Sequence, residues 1–279
     1  MRAAVVAVLV VLAGCSALAP GPDTDANPET VTPAPVPTDS GLAPGVGPST
    51  VTDASALAAA HGAALGNESY TLVTNRTVRT ANGSLRSALT VRLALSSGPS
   101  RNYHATVSVE GPAAPLVIGE PPTRAEYWTD DEVYLRRQTI DNRTVYSRYD
   151  DADAYVGTWS FWLGTVALDL GPEIDLQSTL EGFETRVADR SPAGRVHLVG
   201  TAVRSEGFVD NPAEVERVEN ATLHAFVARS GFVESYHVVY DATLDDGERV
   251  RVRRSVRFER VGTTTVDRPS WYDEAMERG

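Results

Sequence analysis

The chain has 279 residues, a formal net charge of −12 and a sequence pI near 4.9, so it can bury a sizeable core and lacks the basic surplus that nucleic-acid binding requires. All 25 basic residues are arginine and there is one cysteine, which excludes an internal disulfide framework. At the N-terminus, Arg2 precedes an unbroken apolar run over residues 3–13. Crossing a hydrocarbon core of ~30 Å takes about 20 helical residues, so this shorter run reads as the apolar part of a signal peptide and not as a membrane span.

The run ends in Leu12, Ala13, Gly14 and Cys15, whose small residues give a peptidase access to the bond before the cysteine. This tetrapeptide resembles the lipobox of bacterial and archaeal lipoproteins. The resemblance implies a lipid thioether on Cys15 and a chain anchored by that lipid at the extracellular face of the cell membrane. Residues 16–50 are rich in Pro, Thr, Asp and Gly and include Pro33, Pro35 and Pro37, a composition that extends and cannot bury a core. The expected organisation is a signal peptide over 1–14, a lipidated Pro/Thr-rich tether over 15–50 and one domain over 51–279. An acidic, lysine-free surface suits high ionic strength, where carboxylates hold water and screening removes their repulsion, and the composition resembles that of haloarchaeal proteins.

The domain is predicted to open with a helix capped by Asp53, with Leu57, Ala60, His61, Ala64 and Leu65 at helical spacing and Gly66 as its stop. Period two follows. Leu85, Leu89, Val91, Leu93 and Leu95 form one half-buried strand and Tyr103, Ala105, Val107 and Val109 another, the alternation of an antiparallel sheet with one wet face. Five Asn-X-Ser/Thr sequons, Asn67, Asn75, Asn82, Asn142 and Asn220, fall at predicted turns, a helix end or outward strand positions and are candidates for glycosylation.

Residues 159–170 carry a helical stripe of Trp159, Trp162, Leu163, Val166 and Leu170, closed by Gly171 and Pro172, and Leu176, Leu180 and Phe183 give a second, shorter one. Helices inserted between strands must hide their apolar stripe on the sheet. Further strands are expected near 196–203 and 221–227, with a short helix over 212–217. In the last hairpin an odd loop over 246–248 pairs Leu244 with Val250, Ala242 with Val252, Val238 with Val256 and Tyr236 with Phe258, because a one-residue slip would exchange the two faces. The opposite face then presents Arg249, Arg251, Arg253 and Arg257 beside Asp241, Asp245, Glu248 and Glu259, a solvated, salt-bridged surface. Ser270 and Asp273 match a capping box, and Trp271 is expected to pin the terminus.

The fold class is therefore α+β, mainly β: a curved antiparallel sheet forming an incomplete barrel, with an N-terminal helix and inserted helices on its concave face. Element order over about 53–268 resembles the lipoprotein-carrier architecture of periplasmic carriers and mycobacterial lipid-binding lipoproteins. The lipobox, the tether, the Ala-rich first helix and Pro269-Ser270-Trp271 together resemble a haloarchaeal surface lipoprotein family of uncharacterised function.

No catalytic centre is legible, so no enzyme is expected. There is no HExxH pair, no close histidine pair at zinc spacing, no Gly-x-Ser-x-Gly elbow and no phosphate-binding glycine loop. Asp150, Asp151 and Asp153 lack the ligand alternation of a calcium loop, and His61 reads as a hydrogen-bonded residue at the core edge. Neither a metal nor a cofactor is implied. Two readings of function remain. In one, Trp159, Phe161, Trp162, Leu163, Leu176, Leu180 and Phe183 line a cavity for an apolar ligand such as a lipid. In the other they fill an ordinary core, and the domain meets envelope partners without a ligand.

Overall fold

Period-two alternation commits each strand to one buried and one wet face, and in the computed structural model eleven such strands join into one curved, unclosed antiparallel sheet. The structure describes residues 42–98, 102–116, 118–130, 132–149, 172–209 and 214–279, all within the compact unit Asp39–Gly279. The signal peptide, Cys15 and most of the tether lie outside them. Among the described residues no helix is long and apolar enough to cross a membrane.

Helix α1 (Ala54–Leu65) precedes β1 (Tyr70–Thr80), β2 (Leu85–Leu95), β3 (Tyr103–Glu110), β4 (Thr123–Thr129), β5 (Tyr134–Ile140) and β6 (Arg143–Tyr149). After α2 (Pro172–Glu181) come β7 (Phe183–Arg190), β8 (Val196–Val203), β9 (Val215–Val227), β10 (Val233–Leu244), β11 (Arg249–Glu259) and α3 (Tyr272–Arg278). The sheet order is β6-β5-β4-β3-β2-β1-β11-β10-β9-β8-β7. That is the order of an up-and-down meander whose first and last strands pair while the ring stays open between β6 and β7. In place of a hairpin at that gap the chain inserts 150–171 and α2.

Asp53 caps α1 by accepting the Ala56 N–H at 2.9 Å, and α1 buries Leu57, Ala58, His61 and Leu65. α1 and α2 pack against each other and share one core with the inner sheet face, including Leu93, Tyr103, Val107, Leu176, Leu180, Val238 and Val252. A smaller core on the outer face joins Trp128, Val133 and Leu135 to Trp271 and Ala275 of the C-terminal segment. Where β5 turns into β6, Asp141 and Asn142 take φ of 49° and 61°, the mirror-image turn that fits the twist of a two-residue hairpin.

Several expectations are corrected. The β10–β11 loop is odd, but it spans 245–247: Leu244 N–H donates to Glu248 O at 2.9 Å, and Ala242 pairs with Val250, Tyr240 with Val252 and Tyr236 with Val256. Gly247, at φ +80°, occupies the left-handed position of this loop, which leaves Glu248 in the ladder and slips the register by two. Phe183 opens β7 instead of continuing a helix, and Val215, Glu216 and Arg217 lie in β9 where a helix was expected, since β10 offers them a pairing edge. No side chain caps α3; its N-cap is Trp271. Residues 42–50, read from composition as the end of the tether, pack on the domain, with Ala43 and Val46 only 4% and 2% exposed.

Candidate functional site

The inner face divides into two chemically different halves. Over β7–β11 and β1 it is filled by α1 and α2. Leu57, Leu176, Leu180, Phe183 and Phe208 are almost wholly buried, and the Phe183 ring meets Phe208 at 4.5 Å between centroids. Gly200 permits this packing: a Cβ there would come within 2.7 Å of Phe183 Cβ.

Several polar groups are paired within this half. Arg254 sits at an inward position of β11 and reaches α2, donating to Asp175 Oδ1 and Thr179 Oγ1, both at 2.7 Å, while the Tyr236 hydroxyl donates to Asp175 Oδ2. His61 is fully buried. Its Nδ1 accepts the Val233 N–H at 3.2 Å, its ring stacks on Phe232, and burial lowers its pKa to about 4. A cavity of about 90 Å³ remains beside Val78, Tyr240 and Val252, edged by Arg76, Arg86 and Glu214. It has room for a few waters and none for a lipid chain. Two larger hollows, of about 590 and 430 Å³, are surface grooves: one along residues 42–48 with Arg190 and Arg229, the other among Arg79, Asn220, Asp241 and Arg251.

Over β3–β6 the inner face is aromatic. Tyr103, Tyr127 and Tyr134 are buried and Tyr149 is half-buried. Tyr134 lies 6.2 Å from Tyr127 and 5.5 Å from Tyr149 between ring centroids, and burial raises the pKa of both Tyr127 and Tyr134. Arg136 and Gln138 share this face by alternation. Arg136 donates to Ser147 Oγ at 3.1 Å and Gln138 donates to the Ile118 carbonyl. Tyr149 is the last described residue before 150–171.

Of the proposed ligand-lining residues, Leu176, Leu180 and Phe183 come together, and they fill the first half. Trp159, Phe161, Trp162 and Leu163 lie outside the described residues, as do Asp150, Asp151 and Asp153. Asn67, Asn82, Asn142 and Asn220 are exposed, whereas Asn75 is half-buried on β1. Asn220 donates from Nδ2 to Asp241 at 2.9 Å. The outer arginines of β11 are exposed; Arg251 pairs with Asp241 at 3.1 Å and Arg257 with Glu259 at 3.3 Å. On the outer face of β4, Glu126 is 8% exposed and accepts from Trp271 Nε1 at 2.8 Å and from Arg137. Burial alone would raise its pKa, but His104 at 3.5 Å and the hydrogen bonds from Trp271 and Arg137 outweigh that and hold it at about 2.

One convergence was not foreseen: His197, His224 and His237 meet across β8, β9 and β10. They lie on three different strands and well apart in the chain, so no local spacing announces them. Among the described residues no group of three or more His, Cys, Asp or Glu side chains is arranged to hold a metal ion.

The chain belongs to the Family of unknown function (DUF7537), which it matches over residues 1–275. No curated protein matches it. Similar solved structures include a DUF1329 family protein from Desulfovibrio piger, at 8% identity over 81% of this chain and 98% of that one, TM-score 0.28. A putative outer membrane lipoprotein-sorting protein domain from Vibrio parahaemolyticus is 8% identical over 80% and 97%, TM-score 0.25. A β-barrel-like protein of a domain of unknown function, DUF1849, from Brucella abortus is 9% identical over 68% and 98%, TM-score 0.19.

Proposed function

We propose that this member of the DUF7537 family is a non-catalytic lipoprotein, held on the extracellular face of the cell membrane by lipid on Cys15, whose open half-barrel takes an apolar ligand such as a lipid. The observation that carries the ligand reading is the asymmetry of the inner face. One half is filled by α1 and α2, while the other carries the buried Tyr103, Tyr127 and Tyr134 and, on the edge strand β6 from which 150–171 departs, the half-buried Tyr149. That connection carries Trp159, Phe161, Trp162 and Leu163. Tyrosine offers an apolar ring body with a polar tip, so this half suits a ligand with a long apolar part. The lipobox-like residues 12–15 and the proline-rich tether support anchoring, and the four exposed sequons support glycosylation outside the cell.

Two experiments test this. Native mass spectrometry of the detergent-extracted full chain should reveal a non-covalent mass, lost on denaturation and diminished in Trp162→Ala; a mass explained by covalent groups alone refutes the ligand. Cys15→Ser should move the protein out of the membrane fraction, and retention there refutes the anchor. A second reading, an envelope interaction module with a filled core, is favoured by the small 90 Å³ cavity of the described inner face. It predicts discrete cross-linked partners on intact cells and no bound lipid.

A further inference from the structure

Three of the five histidines of the chain stand together on the outer face of the sheet. His237 is directly opposite His224 in the β9–β10 ladder, and His197 is diagonal to His224, whose own β8 partner is Val199. Nε2 of His197 and Nδ1 of His224 are 3.0 Å apart, with ring centroids 5.2 Å apart and planes inclined by 23°. The Phe226 ring lies against His197 at 4.6 Å and 9°, which holds that imidazole in its plane. His224 is exposed and the other two are half-buried, so solvent reaches the cluster.

Two imidazole nitrogens that face each other this closely can share one proton or share a metal ion. Metal–nitrogen bonds of about 2.0–2.1 Å place two neighbouring ligands of a tetrahedral or square-planar ion roughly 2.9–3.4 Å apart. The observed separation falls inside that window. Imidazole suits copper, nickel and zinc, whereas calcium and magnesium demand oxygen.

Asp189 is the cross-strand partner of His197 on β7, so one carboxylate lies on the same side.

We propose that His197 and His224 chelate a divalent transition-metal ion of the imidazole-preferring class, copper, nickel or zinc, on the outer face of β8 and β9. The pair supplies two nitrogens and water supplies the remaining positions. This site is independent of the apolar-ligand reading, because it lies on the other face of the sheet.

Calorimetric titration of the full detergent-solubilised chain with Cu²⁺ and with Zn²⁺ tests it, together with electron paramagnetic resonance of the copper form. The expected result is one ion per chain, nitrogen hyperfine structure, and an affinity that falls about tenfold or more in His197→Gln and in His224→Gln. His104→Gln should bind as the parent does, and thermal unfolding of metal-free His197→Gln and His224→Gln should be unchanged. Absence of binding, or affinity retained in the His197→Gln/His224→Gln double variant, overturns the proposal and leaves the contact a hydrogen bond between two rings.

Discussion

His61 makes acid stability a measurable consequence of the core. It is 0% exposed, Nδ1 accepts the Val233 N–H, and Nε2 has no hydrogen-bond partner among the described residues. A second proton would sit on Nδ1, break the Val233 bond and place a cation between Phe232 and Phe258, so burial lowers the pKa from 6.5 to about 4. The unfolded chain therefore binds this proton first, and folding stability falls as the pH drops through 6.5 towards 4. With those two values the loss between pH 7 and pH 4.5 is about 2 kcal/mol, from ~1.4 kcal/mol per unit of pKa difference. Carboxylates titrate in the same range, so the comparison is with His61→Gln, which can keep an acceptor for Val233 and has no titrating group. Urea unfolding at the two pH values should show the parent losing about 2 kcal/mol more than the variant. Parallel losses would refute the assignment of a neutral, proton-resisting imidazole to this site.

Other substitutions probe other joints of the fold. Trp271→Phe keeps an aromatic ring but removes the Nε1–H donated to Glu126 at 2.8 Å. It should cost about 1.5–3 kcal/mol, the value of a hydrogen bond to a charged group, and hydrogen exchange should show α3 amides opening first. Asp175→Ala leaves Arg254, whose side chain is 10% exposed, without its carboxylate. The loss should approach 3 kcal/mol in chemical denaturation, because a buried cation that keeps Thr179 but loses its counter-charge costs more than the pair contributes. Gly247→Ala meets no atom within 4 Å but must hold φ +80°, so it should cost about 1 kcal/mol from backbone strain alone. A Gly247→Ala midpoint equal to that of the parent would move the left-handed residue of the loop elsewhere.

How far the sequence speaks depends on which physical signal each feature uses. Alternation exposes β2 and β3 because, apart from Ser87, every second side chain of Leu85–Leu95 and Tyr103–Glu110 is apolar. It cannot fix register to better than two residues: a slip of two returns every side chain to its own face, and Gly247 decides between the alternatives. Arg254 looks misplaced on an inward position of β11 until α2 brings Asp175 and Thr179 to it, a partnership made only in three dimensions. Phe183 reads as the end of a helical stripe because its spacing from Leu176 and Leu180 also suits a helix, yet β8 pairs with it and makes it the first residue of β7. The histidine cluster was illegible for a related reason: it depends on strands β8, β9 and β10 being neighbours, and each histidine alone sits at an ordinary outward position.

The strand order also explains how an open sheet of eleven strands avoids pairing with its neighbours. The gap between β6 and β7 leaves two edges, each a row of backbone groups able to recruit another strand. The two ends of the folded unit lie beside the two edge strands. At β7, the Val187 N–H donates to Ser49 O at 2.7 Å, Thr50 Oγ1 donates to Thr185 O at 2.6 Å and the Val51 N–H donates to Thr185 Oγ1 at 3.1 Å. At β6, α3 packs on the outer face and Arg148 donates to the Met276 carbonyl at 3.1 Å. The segment leading in from the tether thus closes the β7 edge, while the C-terminal helix covers the outer face of β6. On this argument, removing residues 42–51 bares the β7 edge, and that truncation should raise the oligomeric state in light scattering before it lowers the unfolding temperature.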